Sequence, residues 1–129
     1  MEDAFLLNGT ALAFLGDAVM SLQVREYLIK EKHLQNTNRL QQESIKFVSA
    51  KAQAQALYRM LDENVLNETE IAIVKRGRNA KTETKAKHAA VHEYRMATGL
   101  EALWGYLYLM GQQERLDTLW QYIIEMKEV

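Results

Sequence analysis

Two carboxylates stand out because each is alone. Asp17 is the only charged side chain between Ala4 and Val24, and Glu101 is the only one between Met96 and Gln113. On a helix the neighbours of Asp17 are Ala13, Phe14, Met20 and Ser21, and those of Glu101 are Ala97, Thr98, Trp104 and Gly105. None of these side chains neutralises an acid. A carboxylate desolvated among apolar groups takes up a proton, finds a distant cation or binds a metal ion. Small residues flank both acids: Gly16, Ala18, Ala97, Gly99, Ala102 and Gly105 would let two helices approach closely and bring the carboxylates together. Two carboxylates in one site repel, and a divalent cation keeps both ionised near neutral pH. Mg²⁺ suits such a pair, because it takes few carboxylates and keeps several waters. Taken singly, each acid is also explained as a structural hydrogen-bonding residue or as the partner of a distant Arg. The coincidence of two favours the metal.

The elements that must position these acids are helical. The chain has no proline and only six glycines in 129 residues, and no segment alternates apolar and polar residues as a half-buried strand does. A first helix is expected from Asn8 or Thr10 to about Lys30, with Leu12, Leu15, Val19 and Leu22 facing the core. Gln35-Asn36-Thr37 reads as a loop and cap before a helix carrying Leu40, Ile45, Phe47 and Val48. Ser49 is placed to cap the next, with Ala52, Ala56, Leu57, Met60 and Leu61 as its apolar positions. A turn at 64–67 leads to a helix with Ile71, Ile73 and Val74. A further helix spans about Val91 to Met110, Gly111 breaks it, and a last one carries Leu116, Leu119, Ile123 and Ile124. The expectation is one all-α domain over residues 1–129.

Composition narrows the class. Apolar residues make up 48% of the chain, enough for a single core, and the net charge is −1. The absence of cysteine excludes disulfides and thiolate metal sites. Met1-Glu2-Asp3 lacks the basic start of a secretory signal. The apolar stretch from Ala4 to Val24 is interrupted by Asn8, Thr10, Asp17, Ser21 and Gln23, so a buried helix suits it better than a membrane span.

Charge is not evenly spread. Between Lys75 and His88 six cations (Lys75, Arg76, Arg78, Lys81, Lys85 and Lys87) face one acid, Glu83, for a net +5, which leaves −6 on the remainder. Alone, such a run is most simply a solvated face. Lying just before the Glu101 helix, it reads as a contact for a polyanion, with Asn79, Thr82 and Thr84 available to phosphates or hydroxyls. A-form RNA displays 2′-hydroxyls in a shallow minor groove, which such a segment reads by shape more than by sequence. His33, His88 and His92 are scattered. The i, i+4 pair His88 and His92 has no third metal ligand at local spacing and reads as surface. Trp104, Tyr106, Tyr108 and Trp120 are expected in the core or a dimer contact.

Ala13-Phe14-Leu15-Gly16-Asp17-Ala18-Val19 resembles the signature helix of ribonuclease III catalytic domains. Phe47-Val48-Ser49-Ala50-Lys51 resembles that family's second conserved helix junction, and Leu100-Glu101-Ala102-Leu103-Trp104-Gly105 the segment that supplies its catalytic Glu. The three occur in the family's order and cover nearly the whole chain. The resemblance implies an Mg²⁺-dependent endonuclease of double-stranded RNA that leaves 5′-phosphate and 3′-hydroxyl ends. It implies Asp17 and Glu101 as catalytic metal ligands, and a homodimer whose protomers each cut one strand. The family counterpart of Phe14 inserts into the partner subunit, so Phe14 is expected at the dimer interface.

The string from Lys75 to Lys81 and the run Tyr94-Arg95 to Tyr108 are similar to the Mini-ribonuclease III subfamily, which matures the ends of bacterial large-subunit (23S) ribosomal RNA. The chain ends soon after its last helix, so no separate double-stranded-RNA-binding domain is expected. This implies a cytoplasmic enzyme binding ribosomal RNA precursor through Lys75, Arg76, Arg78, Asn79, Lys81, Lys85 and Lys87. The need for a ribosomal-protein helper stays open. Ordinary ribonuclease III has a second acid four residues before the signature Asp and another three before the catalytic Glu. Here these positions are Ala13 and Thr98, which leaves the number of metal ions open. Two other classes fit the sequence less well. A non-catalytic RNA-binding or scaffold domain of this fold does not need both acids, and a helical protein–protein module does not need the segregated charge.

Overall fold

A computed structural model describes residues 1–80 and 88–128. Among these residues a 3₁₀ turn, Ala4–Leu6, precedes six helices: α1 Gly9–Lys30, α2 Thr37–Val48, α3 Ala50–Asp62, α4 Glu68–Arg78, α5 His88–Leu109 and α6 Gln113–Glu128. The all-α expectation holds. Four helix starts follow from short polar side chains that satisfy first-turn N–H groups. Asn8 Oδ1 accepts from Ala11 N at 2.8 Å, Asn36 Oδ1 from Arg39 N at 3.1 Å, and Ser49 Oγ from Ala52 N at 3.1 Å. Asn67 and Glu70 cap reciprocally, each side chain accepting from the other's backbone N–H. Gly111 ends the run after α5 with φ of 72°, a left-handed conformation that glycine adopts without a Cβ penalty.

The centre of the molecule is α5, which packs against α1, α3, α4 and α6. From Gly99 to Leu107 every residue but Glu101 is buried. An apolar helix that is buried all round must be central, and its one acid is then held wherever the surrounding helices leave a gap. Glu70 is the buried acid with a structural explanation. It accepts from Arg115 Nε and from a terminal guanidinium nitrogen of the same residue, both at 2.8 Å, and so ties α6 to α4.

Several expectations need correction. The buried ridge of α1 is Leu12, Gly16, Met20, Val24 and Leu28, rather than Leu12, Leu15, Val19 and Leu22. Leu15 and Val19 are half-buried, and Leu22 is 65% exposed. The inward ridge follows i, i+4 spacing from Leu12 through the small Gly16 to Met20, Val24 and Leu28, and Leu22 falls off it. Of the aromatics expected in the core or a dimer contact, Trp104 and Tyr106 are buried, Trp120 is half-buried and Tyr108 is exposed. The basic segment is partly helical, since α4 runs through Arg78, and α5 begins at His88, earlier than Val91.

Candidate active site

The acids come together because two helix backbones touch. A Cβ placed on Gly16 would fall 2.6 Å from the carbonyl carbon of Glu101 and 2.8 Å from Gly105 N. A Cβ on Gly105 would fall 2.9 Å from the carbonyl carbon of Leu12. Each is closer than a real Cβ approaches backbone. The α1–α5 crossing is therefore built on Gly16 and Gly105, and Asp17 follows the first while Glu101 forms the surface that the first abuts. Of the other small residues, Gly99 and Ala102 face α4 instead, and Ala18 lies exposed on the outside of α1.

Asp17 is exposed and Glu101 is partly buried. Burial pushes the Glu101 carboxyl up to about 8, helped by a hydrogen bond with Asp17 and by its negative charge, and opposed by the Gln53 amide. Burial therefore favours the protonated form of Glu101, and a cation bound there would favour the ionised one. Among the described residues neither belongs to an ion pair; the five such pairs all lie elsewhere. No third His, Cys, Asp or Glu joins them there to make a larger ligand cluster. Ala13 is buried, and Thr98 turns its hydroxyl to the carbonyl of Tyr94 at 2.9 Å, so neither position adds a carboxylate. This donor set fits a hard cation that takes two protein oxygens and completes its shell with water.

A second glycine contact sets the basic residues beside the acids. A Cβ on Gly77 would meet Ala102 Cβ at 2.7 Å, the Thr98 carbonyl oxygen at 2.8 Å and Gly99 Cα at 2.9 Å. The C-terminal end of α4 is thereby fastened to the turn of α5 that carries Glu101. Lys75 and Asn79 are exposed there, and Arg78, half-buried, donates to Asn79 Oδ1 at 3.3 Å. Arg76 is engaged inward: it donates to the carbonyls of Phe5 and Leu7 and lies over the Phe5 ring at 4.6 Å. Lys81, Lys85 and Lys87 lie outside the described residues. His92 is exposed and stacks on Tyr58 with ring centroids 5.9 Å apart. Phe14, one turn before Asp17, is 84% exposed and shares an outward stripe of α1 with Ala18 and Leu22.

Sequence reasoning had not singled out Gln53 or the packing role of Gly77. Gln53 sits two residues beyond the family-like string Phe47–Lys51, yet nothing in a lone Gln marks it as buried. Gly77 sits in a basic helix end where a glycine serves no electrostatic purpose, and that was a usable signal.

The Ribonuclease III domain family matches residues 10–112. The chain belongs to the ribonuclease III family. It is 51% identical to Mini-ribonuclease 3 of Streptococcus pneumoniae over 99% of both chains, and 46% identical to Mini-ribonuclease 3 of Enterococcus faecalis over 97% of this chain and 94% of that one. A crystal structure of a Fusobacterium nucleatum protein superposes with a TM-score of 0.81 at 32% identity, covering 94% of each chain. No helix among the described residues is long and apolar enough to cross a membrane.

Proposed function

We propose that this endoribonuclease of the ribonuclease III family cuts double-stranded RNA with Mg²⁺ held by Asp17 and Glu101, leaving 5′-phosphate and 3′-hydroxyl ends. The observation that carries this reading is the contact of two acids, with no cation paired to either among the described residues, at a backbone-to-backbone helix crossing. A divalent cation bound there offsets charge on a phosphoryl group and makes water a better nucleophile. The chain's own residues do the rest. Asp17 and Glu101 provide the oxygens, the rigid α1–α5 crossing fixes their separation, and Lys75 and Arg78 draw the phosphate backbone to the same end of α5. The resemblance of residues 75–81 and 94–108 to Mini-ribonuclease III supports a 23S ribosomal RNA precursor in the cytoplasm as the natural duplex.

The test is a long RNA duplex incubated with the protein and Mg²⁺, beside reactions containing EDTA or the Asp17→Asn variant. Cleavage is expected only with the intact pair and free Mg²⁺. Cutting that survives EDTA or the substitution would sink the mechanism, and salt-sensitive binding without cutting would point to a scaffold.

Two further predictions arise here. Lys75→Ala with Arg78→Ala should weaken duplex binding and lower the slope of log affinity against log salt by roughly 1 to 2, as fits two lost phosphate contacts. An unchanged slope in filter binding would remove these residues from the RNA surface. The exposed stripe of Phe14, Ala18 and Leu22 supports a homodimer, because a contiguous apolar face seeks cover. Phe14→Ala should weaken self-association by at least about tenfold, or about 1.4 kcal/mol. A sedimentation isotherm that does not move would refute the interface.

A further inference from the structure

Two polar or charged side chains are fully buried among the described residues: Glu70 and Gln53. Glu70 is accounted for by Arg115 and by its helix cap. Gln53, 3% exposed on α3, has no comparable structural return. Its Nε2 lies 3.2 Å from Met20 Sδ, a weak acceptor, and its amide is near enough to the Glu101 carboxyl to favour the ionised form. Met20 is on α1, one turn beyond Asp17. A single carboxamide therefore joins α1, α3 and α5 at the point where the two acids meet. Burying an amide against a thioether is unfavourable, because the lost water is replaced by a weak acceptor. A Leu or Met of similar volume would fill the junction without that cost. The donor chemistry explains why an amide is there. Gln53 carries N–H groups to hold a carboxylate but no charge to compete with a cation, as a Lys would.

We propose that Gln53 is a positioning residue, holding the Glu101 carboxylate toward Asp17 while Met20 Sδ fixes the amide from the other side. The inference rests on Asp17 and Glu101 being the metal pair. It assigns Gln53 to the ordering of that pair and to no contact with RNA. Partners that orient a metal-ligating side chain in this way typically change metal affinity or activity by 10–100-fold when removed.

The test uses Gln53→Leu and Gln53→Met in the full chain, with Glu101→Gln in parallel. Three quantities are measured: Mn²⁺ affinity of the RNA-free protein by electron paramagnetic resonance of free Mn²⁺, kcat and KM on an RNA duplex, and thermal unfolding in EDTA. Both Gln53 variants should unfold no lower than the native chain. Their Mn²⁺ affinity and kcat should each fall about tenfold or more, with KM unchanged and added Mn²⁺ restoring part of kcat. Native Mn²⁺ affinity and kcat in either folded Gln53 variant overturn the proposal. So does a fall in unfolding temperature in both variants, which would make Gln53 a stabilising residue. If Glu101→Gln loses Mn²⁺ binding while the Gln53 variants keep it, the Gln53 assignment alone fails. If Glu101→Gln binds Mn²⁺ as the native chain does, the metal pair fails and the Gln53 assignment with it.

Discussion

Glu101→Gln is expected to lose cleavage of duplex RNA by about a thousandfold, a size typical of removing one preorganised charge-stabilising group, while the metal-free variant becomes more stable than the native chain at pH 8. The two effects share one cause. Burial beside Asp17 pushes the Glu101 carboxyl up to about 8 in the folded chain, whereas an unfolded glutamate titrates near its ordinary value of about 4.3. The folded state therefore holds this proton more tightly than the unfolded state does. Stability contributed by the protonated form is present at low pH and is lost as pH rises through about 8. Gln keeps a neutral side chain of the same shape and avoids that loss. Denaturant unfolding in EDTA should give native and variant similar stabilities near pH 4, with the variant ahead by a few kcal/mol at pH 8. Mg²⁺ should then stabilise the native chain and leave the variant unmoved, because only the first gains a ligand. Equal pH dependence of the two proteins in EDTA would show that Glu101 is not strained in this way.

Gly16→Val is the second large effect. Its Cβ would overlap the Glu101 carbonyl, which is backbone and has no rotamer to turn aside. Even Gly16→Ala, worth up to about 1 kcal/mol of helix propensity in its favour, should be destabilising overall. Overpacking costs of about 1–3 kcal/mol are measured where side chains yield, and here the obstacle is another helix. Gly16→Val should lower stability by at least about 3 kcal/mol and should cut cleavage further than the unfolded fraction explains, since α1 must move away from α5 and take Asp17 with it. A folded Gly16→Ala protein of native stability would mean that the crossing is looser than its geometry implies.

The helix starts at Asn8, Asn36, Ser49 and Asn67 were legible because capping is local chemistry, decided within three or four residues. The acids were legible for a different reason, since a charge in an apolar segment violates its surroundings and so announces a task. The inward face of α1 was not legible. Amphipathic reading follows large side chains, and the inward ridge runs through Gly16, which offers none, so the spacing of large residues points to Leu22 instead. Gln53 was hidden as well, because its meaning depends on Met20 and Glu101, which are 33 and 48 residues away along the sequence. The inward turn of Arg76 belongs to the same class. Charge and spacing assign it to a polyanion, and only the carbonyls of Phe5 and Leu7 show where its donors go.

The glycine contact between α4 and α5 bears on how such an enzyme ages under mutation. Where helices meet through interlocking side chains, a change on one surface is absorbed by a compensating change on the other, and the pair drifts together. Gly77 against Thr98, Gly99 and Ala102 offers little to exchange, since the nearest atoms are largely main chain. Sequence around this contact can diversify, and the outer faces of both helices can be rewritten. The distance from the basic end of α4 to Glu101 cannot be retuned in small steps. A lineage needing a different reach between its anion-binding surface and its acids would have to change the segment beyond Arg78, leaving this contact as it is.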